Sequence, residues 1–182
     1  ADLLPIAQQG GFQAATGDIK GGALLYNNIS TQTQGLAGAN YDVAITLLSN
    51  ADDYQFNVIA APGLVNALHG TQVDTLISLV ESRGDSIAVV DLVAYGSTVA
   101  NAATEAADQN SSYAASYWPW LQTQSSTGKN VWVPASVVIP GIYAFTDGAA
   151  APWFAPAGLV RGGIVGVIQA ERKLSRTDRD TL

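Results

Sequence analysis

The fold depends most on a stretch that begins SYAASYWPWLQTQSSTGKNVWVPAS at residues 112–136 and continues to Asp180. Between Ser112 and Asp180 lie all four tryptophans and six of the eight basic residues of the chain. Large, rigid side chains at this density indicate either a tightly packed core or a surface that meets another chain, because aromatic residues dominate the energetics of both. No constellation of catalytic residue types occurs in this stretch.

The composition of the chain is apolar and acidic. Hydrophobic residues make up 48% and charged residues 13% of the 182 residues, against about 25% charged residues in typical soluble chains. This shortage of charged surface suggests that partners cover part of the exterior. The net charge of −7 argues against a general nucleic-acid-binding protein, which would carry a basic face. No apolar run reaches about 18 residues, so no transmembrane span is expected.

The chain contains neither cysteine nor methionine. Disulfides, thiol catalysis and cysteine-based metal sites are therefore excluded. The missing initiator methionine favours the interpretation that the sequence is a fragment of a longer polypeptide. Residues 1–40, rich in Gly, Gln, Asn, Ser and Thr, are predicted to be loops and short strands at the end of a variable or inserted domain. Residues 41–182 are predicted to form a core domain that is truncated at its C-terminus.

From Tyr41 onward, short apolar runs alternate with segments of helical character. Buried strands are predicted at residues 56–61 and 86–93. Further strands are predicted at residues 113–123, broken by Pro119, which suits an edge or a bulge, and at residues 131–133 and 164–169. Helices are predicted to begin at Asp42, Thr71, Ser97 or Thr98, and Ser175 or Thr177, with a further helix at residues 136–145 that Pro140 kinks or breaks. This alternation indicates an α/β architecture with a mixed β-sheet flanked by helices and a partly irregular N-terminal segment.

Candidate chemical motifs fail on their spacing. Residues 127–130 resemble the end of a phosphate-binding loop, but Thr123 stands where that loop needs Gly, and a hairpin turn is the favoured interpretation. The glycines of residues 162–166 lack the GxGxxG spacing and indicate close backbone contact. His69 is the single histidine, so the sequence holds no pair of histidines for a metal site, and no GxSxG motif supplies a catalytic serine. His69 is expected to be exposed or to cap a helix. No catalytic residue, metal or cofactor is predicted.

Asp52, Asp53 and Asp91 are the best carboxylate candidates for chemistry, and Asp91 has the most suggestive position. It follows a buried strand, and α/β proteins place their active sites at the carboxyl ends of such strands. Because no motif surrounds Asp91, a helix cap or a salt bridge is the favoured interpretation.

Charge is distributed unevenly along the chain. Residues 161–182 hold five basic and three acidic side chains, whereas residues 1–160 hold three basic and twelve acidic ones. A basic end on an acidic body could match the acidic face of a neighbouring copy and guide its docking. An ordinary solvated helix is the alternative. The candidate subunit contacts are Arg161, Arg172, Lys173, Arg176 and Arg179.

The aromatic side chains have two interpretations. Most are predicted to lie in the core, and some are predicted to anchor an interface, where Trp and Tyr are enriched. Tyr117 and Trp118 alternate along a predicted strand, so we expect them to face opposite sides. The set comprises Tyr113, Tyr117, Trp118, Trp120, Trp132, Tyr143, Trp153 and Phe154.

Four segments in this order resemble the conserved core of tail sheath proteins from contractile-tailed bacteriophages. They are SYAASYWPWLQTQ (112–124), TGKNVWVPAS (127–136), APWFAPAGLVRGG (151–163) and ERKLSRTDRDTL (171–182). Ala135 departs from the family pattern, which usually has a second proline at that position. The resemblance extends over about residues 41–182 and rests on the joint order of the segments.

The resemblance implies a structural, non-enzymatic subunit. Such subunits would stack as hexameric rings in a helical array around a tail tube protein, above a baseplate, and would contract to drive the tube through the host envelope during DNA delivery. It implies no direct contact with nucleic acid and no membrane insertion, and it places the protein in the virion tail after assembly in the host cytoplasm. The family links neighbours through N- and C-terminal arms, which are expected to be missing from this fragment.

Two alternatives remain open at this point. A related contractile injection system shares the same core and would use the chain in the same way. An α/β enzyme with Asp91 at the edge of its sheet is the alternative from a different class.

Overall fold

The computed structural model describes residue 29 and residues 37–182, in which helices and short strands alternate. The helices are α1 (Gly38–Leu48), α2 (Asn66–Arg83), α3 (Val99–Asp108), α4 (Ile139–Ala149), α5 (Gly158–Arg161) and α6 (Arg176–Thr181), with a 3-10 helix at Ala135–Val137. The strands are β1 (Val58–Val65), β2 (Ile87–Asp91), β3 (Ala114–Ser116), β4 (Leu121–Gln124), β5 (Asn130–Val133) and β6 (Val167–Ala170). The predicted α/β class is confirmed.

The first sheet is parallel, with the strand order β1-β2-β3. Side chains alternate between the two faces of a strand, so Ala88 and Val90 of β2 pack with α1 and α2, whereas Val89 packs with the 3-10 helix and α4. Helices therefore cover both faces of this sheet. This burial on two sides explains why β2 is a continuous apolar run.

The second sheet is antiparallel, with β4 between β5 and β6. A tight turn joins β4 to β5, in which the Ser125 amide donates to the Lys129 carbonyl at 2.8 Å and Gly128 has a φ of 78°. The hairpin turn predicted at residues 127–130 is confirmed. In the described residues, parallel and antiparallel pairings thus occupy separate sheets. The single strand predicted at residues 113–123 is divided into β3 and β4, because Pro119 has no amide to donate to a ladder.

Aromatic residues join the two sheets. The Trp120 indole nitrogen donates to the Val93 carbonyl at 2.9 Å, just beyond β2. The Tyr95 ring lies 6.1 Å from the Trp120 ring and 5.1 Å from the Trp132 ring, measured between centroids. Trp120 and Trp132, on the antiparallel sheet, are therefore anchored to the loop that follows the parallel sheet.

Glu171, which follows β6, adds a second connection. Its carboxylate accepts a hydrogen bond from the Gly96 amide, and its own amide donates to the Trp120 carbonyl at 2.8 Å. The end of β6 is thereby held against the loop after β2, which places the segment beyond Glu171 beside the body of the domain.

Replacing Trp120 by Phe is expected to lower the free energy of unfolding by about 1–2 kcal/mol. The ring area is largely retained, but the Val93 carbonyl loses its indole donor, and a lost hydrogen bond at a partly buried site has about this cost. Trp153→Phe is the matched control, because Trp153 is 84% exposed and the same change there should leave stability unaltered. Urea unfolding followed by circular dichroism measures both variants. Equal midpoints for the two variants would contradict the proposed connection.

The two predicted helix starts have different outcomes in the structure. The prediction that Asp42 caps α1 is wrong, since α1 begins at Gly38, whose amide donates to the Ile29 carbonyl at 2.7 Å. The start predicted at Thr71 agrees with the long part of α2, which resumes after non-helical backbone at His69, although a first turn precedes it from Asn66. His69 is buried, and its Nδ1 accepts a hydrogen bond from the Val65 amide at 3.0 Å. The expectation of an exposed His69 is therefore incorrect, while a capping contact is present.

Local capping predictions succeed where the cap is formed by neighbouring residues. Thr98 caps α3 by accepting from the Asn101 amide. Ser175 and Asp178 form a reciprocal capping box at α6, and these hydrogen bonds hold the pKa of the Asp178 carboxyl below its usual value. Pro140 lies in the first turn of α4. The helix predicted at residues 136–145 is indeed broken before Pro140, into the 3-10 helix and α4, and Pro140 fits the first turn of α4 because that turn needs no amide donor at this position.

Within residue 29 and residues 37–182, no helix combines the length and apolarity that crossing a membrane requires.

Candidate interaction surface

Asp91, the strongest carboxylate candidate, is the last residue of β2 and is 3% exposed. One oxygen accepts from the Ser136 amide at 3.2 Å, and the other accepts from the Ser136 hydroxyl at 2.5 Å. Burial raises the pKa of the Asp91 carboxyl, and the two hydrogen bonds from Ser136 oppose that rise. Asp91 therefore caps the 3-10 helix, which is the structural role that its sequence context favours.

Tyr117 and Trp118 follow β3 and contact different parts of the domain. The Tyr117 hydroxyl lies 2.5 Å from the Tyr143 hydroxyl on α4, and burial raises the pKa of Tyr143. Trp118 packs against a separate cluster that contains Leu92 and Ala102, beside α3. Trp118 thus contributes to internal packing, whereas Tyr117 is 38% exposed.

Residues 153–165, which we call the apolar loop, carry a group of strongly exposed apolar side chains. Leu159 is fully exposed, and its neighbour Val160 is 86% exposed. Soluble proteins rarely present several large apolar side chains together without a partner. The exposed members of the group are Trp153, Phe154, Leu159, Val160 and Val165.

Close backbone packing holds the apolar loop in its conformation. A Cβ on Gly162 would lie 3.0 Å from the Ala157 Cα and 3.0 Å from the Gly158 oxygen, so a side chain there would force the backbone apart. The close-contact interpretation of the glycines is therefore confirmed for Gly162. The Arg161 guanidinium lies 4.8 Å from the centroid of the Phe154 ring, a cation–π distance.

A groove of about 420 Å³ runs between α4 and the end of the apolar loop. Its lining is apolar and includes Val138, Ile142, Phe145, Ile164 and Val165. α5 contacts α4 on this side of the domain, so the apolar loop lies on the α4 side of the parallel sheet.

A second apolar feature lies on α1, on the other side of the parallel sheet. Ile45 and Leu48 pack inward, whereas Val43 and Leu47 point outward and are 69% and 56% exposed. The outward pair lines a shallow hollow together with Asp42, Thr46 and Asn50, and we call this the α1 hollow. The α1 hollow is not among the features predicted from the sequence, although apolar residues on two sides of a surface helix signal a second contact.

The basic segment comprises the exposed cations Arg172, Lys173, Arg176 and Arg179. Among the described residues, the salt bridge between Arg83 and Asp85 is the one ion pair within 4.0 Å, so none of these four cations is neutralised there. Arg161 differs from them because it is half-buried and stacked on Phe154. The structure thus separates Arg161 from the other four candidate contact residues.

The helices α1–α3 and the loops between them carry an excess of acidic residues, and we call this part of the chain the acidic layer. Arg83 is the single basic residue between positions 37 and 128, and its guanidinium is already paired with Asp85 at 2.9 Å. Carboxylates in this layer are therefore in large excess over cations. Apart from the buried Asp91, they are Asp42, Asp52, Asp53, Asp74, Glu81, Asp85, Glu105 and Asp108.

Comparison with known proteins shows the family to which the chain belongs. Residues 34–182 match the model of the phage tail sheath protein central domain. A segment of 54 residues is 44% identical to a tail sheath protein of Vibrio phage KVP40, and this segment represents 30% of the chain and 8% of the relative's length. The match to the family model covers most of the chain, so the chain belongs to the family of phage tail sheath proteins.

Proposed function

We propose that the chain is part of a structural subunit of a contractile phage tail sheath. Membership of the tail sheath family supports this role. The surface supports it too, because the apolar loop exposes several large apolar side chains and the basic segment forms no ion pair within 4.0 Å among the described residues. In an assembled sheath, neighbouring subunits would cover both.

The first contact that we propose lies between the basic segment of one subunit and the acidic layer of the next. Arg172, Lys173, Arg176 and Arg179 are exposed cations, and α1–α3 of a neighbouring copy would present the carboxylates. Opposite charges of this kind guide docking and reject wrong alignments more than they add affinity. Arg161 would contribute differently, because it lies within the apolar loop and stacks on Phe154.

Contraction is proposed as a shift between two arrangements of the same subunits. The lattice with better contacts between subunits would be favoured once a trigger releases the other, and no covalent bond would form or break. In this proposal the subunits form hexameric rings in a helical stack around the tail tube, above the baseplate. The sheath would assemble in the host cytoplasm and act in the virion tail, driving the tube through the host envelope during DNA delivery. A sheath of a related contractile injection system would use the chain in the same way.

The enzyme alternative gains no support from Asp91. Both of its carboxylate oxygens accept hydrogen bonds from Ser136, and the carboxylate is buried. A carboxylate used in this way holds a helix in place and is closed to a substrate.

Electron microscopy of the full-length protein, expressed alone, tests the proposed function. Here full-length means the complete polypeptide to which these 182 residues belong. Long tubes or shorter, wider polymers are the expected result, because subunits of a sheath should carry all the contacts needed to join one another. A protein that stays monomeric at high concentration would contradict the proposal.

A further inference from the structure

We infer that α5 of one subunit inserts the Leu159 and Val160 side chains into the α1 hollow of a neighbouring subunit. This inference rests on the proposed function and names a second, apolar contact of the assembled sheath. It differs from the charged contact of the basic segment, because it places one exposed pair of apolar side chains against one shallow apolar surface.

The protrusion is already formed in the single subunit. Leu159 is fully exposed and Val160 is 86% exposed on the short helix α5. The close packing at Gly162 and the stacking of Arg161 on Phe154 hold this helix in position. A protrusion that is fixed before binding loses little conformational entropy when it binds, which favours association.

The α1 hollow has the chemistry to receive this protrusion. The exposed side chains of Val43 and Leu47 would provide apolar contact, and Asp42 contributes a carboxylate to the same lining. Arg161 directly follows Val160 and would bring a positive charge to this negative side chain. Neither Asp42 nor Arg161 forms a salt bridge within residue 29 and residues 37–182. The two surfaces therefore match in apolar character and in the sign of their charges.

The positions of the two features determine the kind of assembly. α1 lies on one face of the parallel sheet, whereas α4, with α5 in contact with it, lies on the other face. A contact between features on opposite faces is heterologous, so each subunit uses its protrusion on one neighbour and its hollow on another. Such contacts continue from copy to copy and produce a ring or a helical array, as a sheath requires.

Site-specific cross-linking tests the inference, because the 182 residues contain no cysteine. Two variants of the full-length protein, Leu159→Cys and Leu47→Cys, are prepared on a background in which any cysteine outside these residues is replaced by serine. The variants are mixed, polymerised and oxidised, and the products are separated by non-reducing electrophoresis. A disulfide-linked dimer is expected from the mixture and not from either variant alone. Ser126→Cys mixed with Leu47→Cys is the control, since Ser126 lies in the exposed turn between β4 and β5.

The outcomes of this experiment distinguish failure of the inferred contact from failure of the proposed function. Polymers that give no dimer in the mixture would overturn the inferred contact and leave the proposed function standing. A dimer from Leu159→Cys alone would also overturn it, because the contact would then join identical surfaces. Failure of the unsubstituted protein to polymerise would contradict both the inferred contact and the proposed function. If Leu47→Cys alone prevents polymerisation, Val43→Cys replaces it in the same test.

Discussion

Replacing Arg172, Lys173 and Arg176 together by glutamate is expected to abolish polymerisation of the full-length protein. The three cations are exposed and belong to no ion pair within 4.0 Å among the described residues, and Arg172 attracts the Asp178 carboxylate only from a longer distance, so their loss should disturb this part of the subunit little. Between subunits, however, three charges change sign opposite the acidic layer, a net change of six units, and like charges placed together at an interface cost several kcal/mol. Sedimentation and electron microscopy measure the loss of polymers, and circular dichroism verifies that the variant is folded.

Two control variants separate a specific contact from a general effect of charge. Glutamates at Ser126, Thr127 and Lys129 add negative charge to an exposed turn, and this variant should polymerise like the parent protein. Glutamine at positions 172, 173 and 176 removes attraction without adding repulsion, so it should give an intermediate result. Normal polymers from the triple glutamate variant would remove the basic segment from the interface.

Salt provides an independent check of the same contact. Exposed charges are screened over about 10 Å at 0.1 M ionic strength, and over shorter distances as salt is added. The parent protein should therefore polymerise more slowly in high salt, whereas the glutamine variant should respond less. This difference would tie the salt effect to the basic segment and not to the protein as a whole.

The sequence predicted those parts of the fold that depend on neighbouring residues. The caps at Thr98 and Ser175 involve partners within three residues, and the turn at Gly128 joins adjacent strands. The strand β2 was recognisable because burial on both faces leaves a continuous apolar run. Features that depend on distant contacts were missed, such as the start of α1, where the Gly38 amide meets the Ile29 carbonyl, and the kink that buries His69.

The candidate surface was predictable only where it depends on the residues themselves and not on contacts between distant parts of the chain. Charge is a property of the residue, so the excess of cations beyond residue 160 is visible in the sequence. Exposure is a property of the fold, and it differs between residues of the same type. Trp120 is half-buried and bonded to Val93, whereas Trp153 is 84% exposed, although both lie in the same aromatic stretch. The position of β4 and β6 determines which tryptophan is covered, and this depends on pairing across more than forty residues of chain.

Replacing Asp91 by Ala is expected to lower the free energy of unfolding by about 2–4 kcal/mol. The change leaves the Ser136 amide and hydroxyl without their acceptor, and Ser136 is 2% exposed, so water cannot replace it. A buried polar group left without a partner costs about 1–3 kcal/mol, and two groups are affected here. Urea unfolding measures the change, and a cost as small as that of an exposed substitution would contradict the capping role of Asp91.

The variant Asp91→Asn separates the hydrogen bonds of this cap from its charge. Asparagine retains a carbonyl oxygen for the Ser136 amide, so the variant should remain folded. Burial raises the pKa of Asp91 above its ordinary value of 3.8, so the folded protein binds this proton more tightly than the unfolded chain does. This contribution to stability is fully present below pH 3.8 and is lost as the pH rises through the folded-state pKa. Asp91→Asn lacks this loss, so its stability relative to the parent protein should increase from about pH 4 to pH 7. Parallel stability curves over that range would show that the Asp91 carboxyl ionises as easily in the folded protein as in the unfolded chain.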